Sequence, residues 1–175
     1  VMKFAVVSVE DERFYENSGV DLKAMGRAFF QDVVQQRAAQ GGSTITQQFV
    51  KNAMQAQTKR TVFEKLREAA LAYHLTRKWS KDKILTQYLN SIYYGNGAYG
   101  IESAARTYFG WNHPGCGEQV KGTMVPCAET LYPAEAAMLA GIIQSPRGND
   151  PVAHPKAALD RRNVVLKKML PQGPP

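Results

Sequence analysis

Residues 9 to 19 read VEDERFYENSG and set four carboxylates, Glu10, Asp11, Glu12 and Glu16, into a chain that is otherwise strongly basic. A carboxylate beside a polar substrate can take a proton as a general base or hold a hard cation; on a plain surface it is merely solvated. A second stretch, GGSTITQQ at residues 41 to 48, has the make-up of an anion site. Its glycines let the backbone come close to a ligand. The helix start that follows offers unpaired N–H groups, the hydroxyls of Ser43 and Thr44, and a dipole that favours negative charge. Gln48 and Lys51 fall one helical turn apart on a common face. The same letters also describe an ordinary capped turn, and the phosphate-loop pattern GxxxxGKS/T is missing. A third stretch, KRTVFEKLRE at residues 59 to 68, brings Arg60, Glu64, Arg67 and Glu68 to one broad helix face, with Lys65 three residues before Glu68. Alone, such a face is solvated and its ion pairs are weak.

These groups need elements to hold them, and the hydrophobic periodicity supplies helices. Asp21 can cap a helix carrying Leu22, Met25, Phe29 and Val33, which Gln40, Gly41 and Gly42 break. Ser43 is the expected N-cap of a second helix with Ile45, Phe49, Val50 and Ala53. Thr61 followed by Glu64 fits a capping box, and Phe63, Leu66, Ala70 and Tyr73 form the apolar stripe of the helix behind it. Ser80 opens a helix through Ile84, Leu85, Tyr88, Leu89 and Ile92 that Gly95 closes, and another is expected from Ala98 to Phe109. Residues 111 to 130 have no period and read as a loop. Pro133 suits the first turn of a helix ending before Pro146, and Pro155 that of a last one through Leu159, Arg162, Leu166 and Met169. Almost nothing alternates with period two, so the expected fold is all-α.

At 175 residues the chain is expected to be one domain, with room for two lobes around a cleft. Twenty-two Lys and Arg against fifteen Asp and Glu leave a formal charge of +7, which favours an anionic partner: nucleic acid, a membrane face or a phosphorylated substrate. A nucleic-acid role has no aromatic and basic interleaving to support it. The two cysteines, Cys116 and Cys127, are too few for a metal site of their own. A disulfide between them is the better account and free thiols the alternative; the disulfide would imply an oxidising compartment and stabilise by at most about 3 kcal/mol. No run approaches the ~18 apolar residues of a membrane span. The chain opens abruptly on apolar residues, so a preceding segment, with a membrane anchor, is expected.

EDERFYENSG, GGSTITQQFVKN, EKLREA, YLNSIYYGNGAYGIESAARTYFG and EAAMLAGIIQSP follow one another in this order. Together they resemble the peptidoglycan glycosyltransferase family, glycosyltransferase family 51: the transglycosylase modules of bifunctional penicillin-binding proteins and the monofunctional cell-wall transglycosylases. The likeness runs from residue 2 to about residue 170. It implies one glycosyltransferase domain over 1–175 with a lysozyme-like α fold, a large lobe and a small mobile lobe around a membrane-proximal cleft. It further implies polymerisation of lipid II at the extracytoplasmic face of the bacterial cytoplasmic membrane. The partners implied are lipid II, the growing glycan chain, the membrane surface and other cell-wall synthesis proteins.

By the family's motifs, Glu10 matches the catalytic base, and Asp11, Phe14 and the position of Asn17 beside it are expected on the substrate side. Ser43, Thr44 and Gln48 match the donor site and Lys51 a basic contact. Lys65 matches the lysine of RKxxE and Glu68 its second carboxylate, with Arg67 as a further cation. The chemistry explains these types. The leaving lipid pyrophosphate is a stable anion that needs cations and N–H dipoles, whereas the acceptor hydroxyl needs a base. Glu68 is expected to act in catalysis by orienting groups near the pyrophosphate or, with help from Asp11, by holding a divalent cation, Mg or Mn, that would suit the phosphates. Two positions depart from the pattern. Asn17 stands where the family has His, and Glu64 where RKxxE has its arginine, a charge that Arg60 or Arg67 is expected to replace. Two other readings compete: a non-catalytic lipid II or glycan-binding scaffold, and a lysozyme-like lytic hydrolase using Glu10 as general acid. A transpeptidase domain after Pro175 is left open, and the stretch from Trp111 to about Thr130 is longer than the family's usual link and has no functional account.

Overall fold

A computed structural model describes residues 1–21, 42–54, 61–110 and 113–170, with the side chain of Val62 left aside. Arg60 and the expected helix from Leu22 lie outside these residues, as do Phe29, Phe30, Val33 and Val34, for which the family resemblance leads one to expect either membrane contact or packing of that helix into the core. In chain order the elements are α1 (Met2–Glu10), α2 (Ile45–Ala53), α3 (Val62–Lys78), α4 (Lys81–Ser91), α5 (Ile101–Ala105) running into a π-helical turn (Arg106–Gly110), β1 (Gln119–Val120), β2 (Thr123–Met124), α6 (Cys127–Thr130), α7 (Pro133–Gln144) and α8 (Pro155–Met169). The fold is all-α, with one short hairpin among the described residues. Two compact units emerge, Glu10–Tyr88 and Val1–Val9 with Leu89–Pro175.

The unit Glu10–Tyr88 holds α2, α3 and most of α4. The N-cap of α2 is Thr44, one residue later than the expected Ser43. Its hydroxyl accepts from Gln47 N–H, and Gln47 Oε1 accepts from Thr44 N–H, a closed capping box. Gln47 completes the box only at the third helical position after the cap, which decides for Thr44 over Ser43. On α3, Thr61 caps through the Glu64 N–H as expected. Its apolar stripe, however, does not face a core: Phe63 is 75% and Leu66 61% exposed, and Ala70 and Tyr73 are also exposed. The buried side of α3 is Glu68 and Ala72 instead. A turn lies against it at Gly19, whose φ is +91°; a Cβ there would run into the Ala72 carbonyl oxygen and the Thr76 hydroxyl. Small residues therefore face the turn, and the large apolar ones are left on the other side.

In the second unit, α7 buries Ala136, Ala137, Leu139, Ala140 and Ile142, and α8 contributes Ala158 and Val165. Gly141 lets the two helices close up, since a Cβ there would stand 3.0 Å from Arg161 Cγ. Here α5 starts later than the expected Ala98 because Gly100, at φ +80°, still belongs to the turn before it. The stretch read as a loop holds β1, β2 and α6. Lys121 and Gly122 both take positive φ, 51° and 81°, which is the two-residue turn that closes a tight hairpin. Cys116 and Cys127 form a disulfide that ties this hairpin to the start of α6. The opening stretch, assigned no element from the sequence, is helical, and Met2, Ala5 and Val6 are buried at helical spacing.

Candidate active site

Glu10 is the last residue of α1 and is half-buried. Its Oε2 accepts a hydrogen bond from Gln48 Nε2 at 2.8 Å, so a side chain in the first turn of α2 reaches the acid. The other end of that amide is held too: the hydroxyl of Tyr88, buried on α4, donates to Gln48 Oε1 at 2.7 Å.

Asp11 is buried and does a different job. Its carboxylate accepts from Asn17 Nδ2 at 3.0 and 3.1 Å and from the backbone N–H of Ile45, the first residue of α2, at 3.1 Å. A carboxylate at a helix start is well placed, because the exposed N–H groups there carry partial positive charge. Burial pushes its carboxyl above the ordinary range, opposed by the Ile45 N–H, Asn17 and the Lys81 ammonium. Asn17 Oδ1 in turn accepts from Gly19 N–H at 2.9 Å and from Lys81 Nζ at 2.8 Å. Lys81 opens α4 with its ammonium 4.6 Å from the centroid of the Phe14 ring; burial pulls its pKa down and Asp11 raises it.

Phe14 and Thr44, both expected on the substrate side, are buried. Phe14 is fully buried, so its part is to pack the turn and carry Lys81. Thr44 is 2% exposed, and its hydroxyl donates to the Gly19 carbonyl at 2.6 Å while accepting from the Gln47 N–H, so it joins the first two motifs. Ser43 and Lys65 do come together, Nζ to Oγ at 2.6 Å, and Glu68 Oε2 lies 4.0 Å from the same ammonium. Lys51 is half-buried in the last turn of α2, and Arg67 is exposed on α3. Glu64 sits in the first turn of α3 with its N–H capped by Thr61.

Lys81 and Tyr88 were missed in the sequence as site residues. A faint signal marked the lysine: a cation in the first turn of a helix opposes the dipole and needs a local reason. Tyr88 gave none, since its ring fits the apolar stripe of α4 and only the hydroxyl's destination matters.

A divalent cation on Asp11 and Glu68 fits poorly. Both Asp11 oxygens already accept hydrogen bonds, and among the described residues no group of three or more His, Cys, Asp or Glu comes together to hold a metal.

A family model described as transglycosylase matches residues 1–170. The chain belongs to the transglycosylase family. Among similar proteins, penicillin-binding protein 1F of Bacillus subtilis (strain 168) is 40% identical over 169 residues, 97% of this chain and 21% of that protein. Penicillin-binding protein 1A of Aquifex aeolicus (strain VF5) is 41% identical over 172 residues, again 97% of this chain and 21% of the relative. Penicillin-binding protein 1A/1B of Bacillus subtilis (strain 168) is 42% identical over 173 residues, 99% of this chain and 17% of that protein. This transglycosylase chain thus spans about a fifth of the length of these relatives. Its Asn17 fills the place of the expected histidine without a charge of its own, and the Lys81 ammonium stands behind it.

Proposed function

We propose that this transglycosylase domain polymerises lipid II by inverting glycosyl transfer. The acceptor sugar hydroxyl attacks the donor's anomeric carbon, the bond to the pyrophosphate oxygen breaks with its electron pair, and the hydroxyl proton passes to Glu10. The observation that carries this reading is the Gln48–Glu10 hydrogen bond at 2.8 Å. It ties a half-exposed acid to the helix whose preceding Ser43 holds Lys65. An N–H aimed at Oε2 suits a carboxylate that receives a proton, which favours transfer over a hydrolase in which Glu10 must first give one. Lys51, Lys65 and Arg67 would meet the pyrophosphate, with Glu68 orienting Lys65 or holding a divalent cation with the phosphates.

The domain is placed by this reading at the outer face of a bacterial cytoplasmic membrane. Among the described residues no helix is long and apolar enough to cross a bilayer. The exposed Phe63, Leu66 and Tyr73, flanked by exposed Lys65, Arg67, Arg77 and Lys78, make α3 the surface that lies on it. The disulfide agrees with an oxidising compartment.

The test is incubation of the purified protein with labelled lipid II, with and without a divalent cation, for wild type, Glu10→Gln and Glu64→Arg. Polymer from wild type and at least about a hundredfold less from Glu10→Gln is expected. Lipid II binding without turnover, unchanged in Glu10→Gln, would instead identify a scaffold. A gain in Glu64→Arg would mark that departure as costly.

A further inference from the structure

Two carboxamides serve the two neighbouring acids, and they differ in what holds their carbonyl ends. Asn17 Oδ1 is held by the Lys81 ammonium and the Gly19 N–H, groups that can only donate, so its NH2 must point at Asp11. Gln48 Oε1 is held by the Tyr88 hydroxyl, which can donate or accept. Gln48 is therefore the amide that can turn over and keep a partner at its far end. Reversed, it presents Oε1 to Glu10 and Nε2 to the Tyr88 oxygen. That arrangement repels a carboxylate and matches a protonated Glu10, whose O–H needs an acceptor.

Resting on the reading of Glu10 as the base, we propose that Tyr88 is a positioning residue for the transfer, acting through Gln48 as a reversible hydrogen-bond relay that follows the proton on Glu10. Before transfer the bonds run from Tyr88 to Gln48 to Glu10 and aim the carboxylate. When the sugar hydroxyl's proton arrives on Glu10, both reverse and run from Glu10 to Gln48 to Tyr88. No covalent bond changes beyond those of the transfer itself, and the one proton moved goes from the sugar oxygen to the carboxylate. The acid keeps a hydrogen-bond partner before and after it is protonated, a service the donor-only Lys81 cannot give through Asn17. Asp11 accordingly stays a fixed support, and Glu10 is free to cycle.

Tyr88→Phe removes the hydroxyl and leaves the ring to fill the same core. Its kcat on lipid II is expected to fall about five- to tenfold, the worth of roughly one net hydrogen bond, with KM unchanged. Gln48→Met and the Tyr88→Phe/Gln48→Met pair are expected to be equally active, because the hydroxyl has nothing to act through once the amide is gone. An unchanged kcat in Tyr88→Phe, or a further loss on adding it to Gln48→Met, overturns the proposal. A second readout needs no turnover: the Gln48 Nε2 protons, followed by NMR, are expected to be protected from solvent exchange in wild type and to lose protection in Tyr88→Phe. Protection retained in Tyr88→Phe overturns the relay, whereas a wild type that fails to polymerise lipid II sinks the reading of Glu10 and leaves this measurement standing.

Discussion

The ammonium of Lys81 donates to Oδ1 of Asn17 at 2.8 Å, and through that amide it steadies the buried carboxylate of Asp11. The histidine expected at position 17 from the resemblance could place a charge there. Here the charge stands behind the amide, on Lys81 of α4, and the amide passes its orientation forward. Lys81→Met strips a charged donor from a half-buried network, so it is expected to cost about 1–3 kcal/mol of stability and to lower polymerisation about tenfold. Thermal melts and initial rates on lipid II check both, and full activity in this variant would separate Asp11 from the reaction.

Asp11 sets a pH dependence. Its folded pKa lies above the ordinary 3.8, first because of burial, so the folded state binds its proton more tightly than the unfolded one. Its contribution to stability is thus fully present below pH 3.8 and is lost as pH rises through the raised folded value. Subtracting the melting profile of Asp11→Asn from that of wild type isolates this residue. The difference is expected to favour wild type most at the acidic end and to decline with rising pH; the opposite slope would contradict the burial argument.

Gly19 stands where three motifs meet: its carbonyl takes the Thr44 hydroxyl, its N–H reaches Asn17, and its α-carbon faces Ala72 and Thr76 on α3. Gly19→Ala forces a side chain against backbone at a positive φ, and neither can give. Destabilisation by more than about 2 kcal/mol is expected, with loss of activity. Denaturant titration measures it, and a neutral result would show that the turn does not sit on α3.

The exposed stripe on α3 separates stability from location. Phe63→Ser with Leu66→Ser removes little buried area, so stability should move by no more than about 0.5 kcal/mol. Association with vesicles containing anionic lipid, read by co-sedimentation, is expected to drop severalfold. A large loss of stability would instead mean that these side chains are covered in the folded protein.

The α2, α3, α4, α7 and α8 helices were legible in the sequence because caps, prolines and 3.6-residue periodicity are local signals. The hairpin was not, since strands of two residues are too short to show a period. The α3 stripe was read correctly as a stripe, but spacing says which residues share a face and not what that face meets.

The sequence by itself determined the residue types, their order along the chain and the family, and with them the identity of Glu10 as the acid to examine. Tertiary structure alone decided the partnerships: Gln48 on Glu10, Lys81 behind Asn17, and Phe14 and Thr44 withdrawn into the interior. These pairings join residues up to 64 positions apart, as between Asn17 and Lys81. Periodicity and capping act over one or two helical turns. Contacts across that distance depend on which helices pack together, and there a buried hydroxyl or ammonium must find its partner.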